Sequence, residues 1–174
     1  MNRTDTGRSM QALTEAEVRD AFRNASAGEL EQLSLPVSFF VTEWAHLDAF
    51  AWRDPRIAGR GYLVTELGGS AVGVVLRAPK SSGSHHRAAI CNLCHTQQPA
   101  DQVAMVSARR AGPAGERGDS VGVYMCSDLA CQETVRLGRP AAPSEVMPSL
   151  RELERIEGLA RRTRAFVANV VETG

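Results

Sequence analysis

The sequence predicts an α+β chain: a small N-terminal helical region, then an antiparallel β domain built round two cysteine pairs, then a long C-terminal helix. Three observations carry that prediction. Strand-like runs alternate with glycine-rich turns between Gly61 and Cys126. Two cysteine pairs, Cys91/Cys94 and Cys126/Cys131, bracket the later runs. Beyond Pro143, apolar residues recur at every third or fourth position. The expected organisation is a disordered stretch over 1–10, the helical region over 11–57 and the cysteine-bearing domain with its final helix over 58–174.

The bulk properties fit this plan. A chain of 174 residues makes one or two compact domains. Hydrophobic residues make up 43% and charged residues 23%, enough to bury an ordinary core. Formal net charge is zero, so no global field draws the chain to nucleic acid or membrane, and any such partner is met by a local patch. The basic residues are nineteen Arg and one Lys, Lys80. Arginine suits bidentate contact with carboxylate or phosphate, but codon usage in a GC-rich genome accounts for most of the nineteen.

In the helical region, Thr14 and Glu17 form a T-x-x-E capping box that opens a helix with Val18, Ala21, Phe22 and Ala25 on one face. The organised sequence begins just after Met10, which makes Met10 a second candidate start. Ser26 and Glu29 cap another helix holding Leu30 and Leu33, and Pro36 ends it. Phe39, Phe40, Trp44, Leu47, Phe50 and Trp52 then follow at helical spacing and read as a core stripe. Asp54-Pro55 breaks that helix. Six of the nine aromatic residues fall in this region.

Gly61–Leu67 and Ala71–Arg77 read as strands, and Gly68-Gly69 between them as a hairpin turn. Pro79–Arg87 is rich in Ser, Gly and His and reads as a mobile loop. Val103–Arg110 is another strand, and a Gly- and Pro-rich tip, Ala111–Gly118, joins it to a strand ending at Cys126. Val121, Val123 and Met125 alternate with Gly122 and Tyr124 in that last strand. Ser127 and Asp128 cap a helix running through Leu129, Gln132, Val135 and Leu137. The final helix is capped by Ser144 and carries Val146, Leu150, Leu153, Ile156, Ala160, Thr163, Val167 and Val170. Gly158 weakens it by about 1 kcal/mol relative to Ala.

The cysteine spacing is C-x2-C, 31 residues, C-x4-C. Two cysteines three apart bite one ion from a tight turn, and a tetrahedral zinc takes four soft ligands. The N-terminus has no apolar signal segment and no run is long enough to span a bilayer, so the expected compartment is the cytoplasm. Disulfides do not suit that compartment. A redox pair would place C-x-x-C at a helix start, whereas the helix-associated pair here is C-x4-C. The expected cofactor is one structural Zn2+ held by Cys91, Cys94, Cys126 and Cys131. The order of knuckle, hairpin and helix, with one ligand pair in the knuckle and the other at the helix start, is that of a treble-clef zinc finger. Four thiolates fill the shell, and no H-x-E precedes a cysteine pair, which argues against a catalytic metal. His95 reads as a donor to a thiolate or a solvent-facing residue, and His85 and His86 as bystanders.

Several segments resemble a known family. Leu13-Thr14-Glu15-Ala16-Glu17-Val18-Arg19, Leu47-Asp48, Trp52-Arg53-Asp54-Pro55 and Gly73-Val74-Val75-Leu76-Arg77-Ala78-Pro79 are similar to actinobacterial FBP-domain proteins. So are Cys91-Asn92-Leu93-Cys94 and Tyr124-Met125-Cys126-Ser127-Asp128-Leu129-Ala130-Cys131. More distant relatives are the FusB-type fusidic acid resistance proteins. These pair an N-terminal helical domain with a C-terminal treble-clef zinc domain, bind elongation factor G and help release it from the drug-stalled ribosome. The resemblance implies the four zinc ligands position by position, and elongation factor G or a similar translation factor as partner.

A closed zinc site is a staple, so function is expected on the surface it holds. From Arg77 to Gly118 there are six basic residues against two acids. The candidate partner-binding residues are Arg109, Arg110, Arg117, Arg136 and Arg139. A ribosomal RNA contact is the alternative. It is disfavoured by zero net charge and by Tyr124 being the sole aromatic near the cysteines. No P-loop and no carboxylate–histidine cluster occurs. The sequence therefore predicts neither an enzyme nor a small-molecule substrate.

Overall fold

A computed structural model describes residues 9–136 and 148–172, with residues 148–151 in backbone only. The expected disorder of 1–8, Arg139, and the Ser144 cap with Val146 lie outside the described residues. Met10 does not share the expected disorder. It is buried at 4% exposure, and its N–H donates to Leu47 O at 2.8 Å.

The two capping boxes form as the sequence dictates. Thr14 Oγ1 accepts from Glu17 N while the Glu17 carboxylate accepts from Thr14 N, opening α1 (Glu15–Ala21). Ser26 and Glu29 do the same for α2 (Ala27–Glu31). α1 ends earlier than expected. Phe22 turns extended, pairs with Gly73, and sets the next two residues against the sheet.

The aromatic stripe is not a helix. Val37–Val41 and Trp44–His46 are short 3-10 turns, and Phe50 and Trp52 lie on a strand, β1 (Ala49–Arg53). The alternation Ala49-Phe50-Ala51-Trp52 has the strand period of two, and β-sheet pairing settles the matter in its favour. Its reading as core holds for Phe39, Trp44, Phe50 and Trp52, whereas Phe40 is 71% exposed.

β1 pairs antiparallel with β2 (Arg60–Leu67), and β2 with β3 (Ser70–Arg77) across the Gly68-Gly69 turn. Both glycines have positive φ, +58° and +82°, as a tight two-residue hairpin requires. β4 (Ala88–Ile90) and β5 (Gln97–Pro99) form a separate two-stranded hairpin carrying the first cysteine pair. β6 (Val103–Arg109) and β7 (Ser120–Cys126) pair along their whole length. The tip between them is a short helix, α3 (Gly112–Glu116), with Pro113 in its first turn. α4 (Cys131–Arg136) and α5 (Pro148–Val171) follow. The main sheet has the order β1-β2-β3-β6-β7.

This sheet has a core on each face. Phe50, Trp52, Tyr62, Val64 and Val75 point toward α1 and the 3-10 turns, where Phe22, Phe39 and Trp44 complete an aromatic cluster. Ala49, Leu63, Val72, Val74 and Leu76 point the other way, toward the cysteines and Leu159, Phe166, Val167 and Val170 of α5. The stripe predicted for α5 omits Leu159 and Phe166 and includes Leu153, which is 51% exposed.

β3 and β6 register at one pair alone, Arg77 with Ser107. Asn24 fills the gap beyond it. Its Oδ1 accepts from Val75 N at 2.7 Å, and its Nδ2 donates to Val75 O at 3.1 Å and to Arg109 O at 2.8 Å.

Asp54 closes the β1–β2 connection. Its Oδ1 accepts from the N–H groups of Arg56 and Ile57, and its Oδ2 from the Tyr62 hydroxyl at 2.5 Å. Burial alone would raise this carboxyl, but those three donors outweigh it and hold it below the usual carboxylate range. Burial, reinforced by Asp54, pushes the Tyr62 phenol up to about 12. A depressed carboxyl stabilises the fold above its unfolded pKa of about 3.9, and that contribution is lost as pH falls through the lower folded value. Tyr62→Phe is therefore expected to lose roughly 1.5–3 kcal/mol at neutral pH. Its deficit should shrink in acid, which urea midpoints at about pH 7 and about pH 3 measure.

Candidate metal centre

The knuckle follows β4 directly. Cys91 N donates to Thr96 O at 3.1 Å and His95 N to Cys91 O at 2.9 Å, closing a tight turn with His95 at φ +54°. Inside it, the N–H groups of Leu93 and Cys94 aim at Cys91 Sγ, 3.4 and 3.3 Å away. The second pair comes from the end of β7 and the start of α4. Cys126 closes the strand. Leu129 N then bonds Cys126 O, Leu129 takes φ +64°, and Asp128 Oδ1 accepts from Ala130 N. That left-handed turn delays the helix to Cys131, so Leu129 precedes α4 instead of lying in it. Asn92 N donates to Tyr124 O and joins the knuckle to β7.

All four cysteines are buried, and their sulfurs lie within 4.8 Å of one another. Cys91 Sγ is 3.6 Å from Cys131 Sγ, and Cys94 Sγ is 3.7 Å from Cys126 Sγ. A tetrahedron with Zn–S bonds of about 2.3 Å has edges of about 3.8 Å, so the donor set fits one zinc ion. Disulfide geometry, with S–S near ~2.05 Å, does not fit. The thiols cannot all ionise unaided. Hydrogen bonding from Cys126 lowers Cys91 and Cys94, while the same network, Cys126 foremost, pushes Cys131 well up. A divalent cation favours the thiolate at all four.

The wider shell includes residues that the sequence reading missed. Gln98 Nε2 donates to Cys126 Sγ at 3.1 Å. Arg162 Nε of α5 donates to Leu93 O at 2.6 Å, and Arg155 Nη2 to Thr96 Oγ1 at 2.7 Å. No local motif flags these three, because β5 and α5 bring them to partners on other elements. His95 is exposed, in keeping with its solvent-facing reading. In the loop expected to be mobile, His85 lies beside Asp101 at 2.6 Å, and Ser81 Oγ donates to Ala100 O.

The candidate partner arginines are dispersed. Arg109 bonds Asn24 O and Glu29, and Arg110 bonds Asn169. Arg136 pairs at 3.2 Å with Asp48, which is only 3% exposed. Arg117 is exposed at the hairpin tip. Among the described residues, no helix is long and apolar enough to cross a membrane.

Knuckle, β6–β7 hairpin and α4 together define a treble-clef module stapled by one structural zinc ion. The match to the family model "FBP C-terminal treble-clef zinc-finger" spans residues 17–170, and the chain belongs to that family. Comparisons with curated proteins and with solved structures find no match.

Proposed function

We propose that the chain is a zinc-stapled protein-binding module that docks on elongation factor G, or a similar translation factor, and modulates its release from the ribosome. The observation that carries a docking role is the surface of the zinc module. Arg77, Lys80, Arg87 and Arg117 are exposed, and their side chains have no bonding partner among the described residues. Ile90, Met105 and Tyr124 of the same module are also exposed, at 56%, 44% and 51%, and Met105 faces Tyr124 across the β6–β7 ladder. Arginine, methionine and tyrosine are residue types enriched in protein interfaces. The choice of a translation factor rests on the family resemblance. Binding would act by favouring a conformation of the factor that fits the ribosome poorly.

Calorimetry with the cognate elongation factor G is the test. A saturable heat is expected, weakened at least ~10-fold by Arg117→Glu through loss of charge complementarity. Absence of heat at high concentration removes the reading. The exposed Tyr124 ring is the one observation favouring an RNA contact instead. That reading predicts binding to ribosomal RNA with a steep salt dependence.

A further inference from the structure

We propose that Arg162 is the counter-charge of the zinc centre, and that through it the seating of α5 on the knuckle depends on the metal. Four thiolates around one divalent ion leave two net negative charges in a buried site. A buried charge needs a compensating partner close by.

Arg162 has the placement for this. Its Nε is spent on Leu93 O at 2.6 Å, inside the knuckle. Its Nη2 is buried and has no hydrogen-bond partner. An unpartnered buried donor at the edge of a four-thiolate site is out of place beside neutral thiols and in place beside an anionic cluster. Gly158 makes the placement possible. A Cβ at that position would stand 2.5 Å from Arg162 Nη1 and 2.9 Å from Nη2. The helix therefore accepts a glycine costing about 1 kcal/mol in its interior and gains a recess for the guanidinium.

Burial works against the charged guanidinium, with Arg161 adding to it, while the sulfurs of Cys91 and Cys94 favour it. One turn pair earlier on the same helix face, Arg155 reaches Thr96 Oγ1 at 2.7 Å, and Thr96 O caps Cys91 N. The far end of α5 is held independently, by Ala111 N donating to Val170 O at 2.9 Å and by Arg110 on Asn169. Arg162 thus couples the metal to the part of α5 over the knuckle rather than to its last turn. This inference does not depend on the identity of the partner.

The test uses the full chain and two variants that separate charge from hydrogen bonding. Arg162→Gln keeps a donor for Leu93 O and drops the charge. Arg162→Lys keeps the charge and drops the guanidinium fork. Zinc affinity is read by competition with a chromogenic chelator. The Gln variant is expected to lose about 10-fold or more, within the range for residues supporting metal ligands, and the Lys variant to stay within about threefold of the parent. Hydrogen exchange on zinc-loaded Gln variant should rise over 155–164 and stay parental over 166–171. Parental affinity in the Gln variant, equal losses in both variants, or unchanged exchange over 155–164 would each overturn the proposal.

Discussion

Cys126→Ser is expected to separate the two faces of the sheet into independent cooperative units. A structural zinc site contributes an apparent ~10–16 kcal/mol in isolated finger peptides, as much as the whole stability of a typical domain at ~5–15 kcal/mol. Losing one thiolate of four removes a large share of that, and the α5 side of the sheet has only its packing to set against the loss. The aromatic side contains none of the ligands. Its cluster of Phe22, Phe39, Trp44, Phe50, Trp52 and Tyr62 is tied by edge and tilted ring contacts at centroid separations of 4.9–6.5 Å. Both tryptophans of the chain sit there, so indole emission reports on that face alone. The serine variant should keep native-like tryptophan emission while losing far-ultraviolet helical signal, since α5, at 24 residues, is the longest helix. Chelation of the parent protein should give the same pair of readings. A simultaneous red shift of the indole emission would show that the faces cannot be uncoupled.

Asn24→Ala carries the second large effect, roughly 3–5 kcal/mol of lost stability. The amide is 6% exposed and serves three backbone groups on two strands. Its removal strands Val75 N–H, Val75 C=O and Arg109 C=O in the interior, each at about 1–3 kcal/mol. Asn24→Asp is a sharper probe, because it retains the acceptor for Val75 N and sets an anion against two carbonyls. It should be at least as damaging. Denaturant midpoints of the two variants decide the matter. A loss below about 1 kcal/mol in Asn24→Ala would mean that water takes over all three bonds.

What the sequence disclosed and what it hid follow from the range of the interactions. Thr14/Glu17 and Ser26/Glu29 are reciprocal contacts three residues apart, so their sequence contains the whole of their physics. Gly68-Gly69 is equally local. The four cysteines were legible because metal-ligand chemistry restricts both residue type and spacing. Residues 39–52 misled because apolar positions three or four apart coincide with a strand's alternation when alanines lie between the aromatics. Only pairing with β2 distinguishes the two. The late start of α4 depends on Leu129 adopting a left-handed backbone, which a β-free polar cap at Ser127-Asp128 does not foretell. Asn24 gave no signal at all, because its partners lie 51 and 85 residues away. The expected arginine surface was only partly legible for the same reason. Charge can be counted in a sequence, but Arg136 finding Asp48 at a separation of 88 residues cannot.

The sheet with a core on each face bears on how copies of this chain behave together. Leu63, Val72, Val74 and Leu76 are 0–9% exposed only because the zinc module and α5 lie over them. A copy short of metal but held by its aromatic side is not simply slack. It presents a flat, oily wall on a preformed sheet, the kind of patch that drives self-association. Its loss from solution would grow with the square of its concentration, even while its tryptophans still looked native. The ion that holds one molecule together is thus also what keeps neighbouring molecules apart.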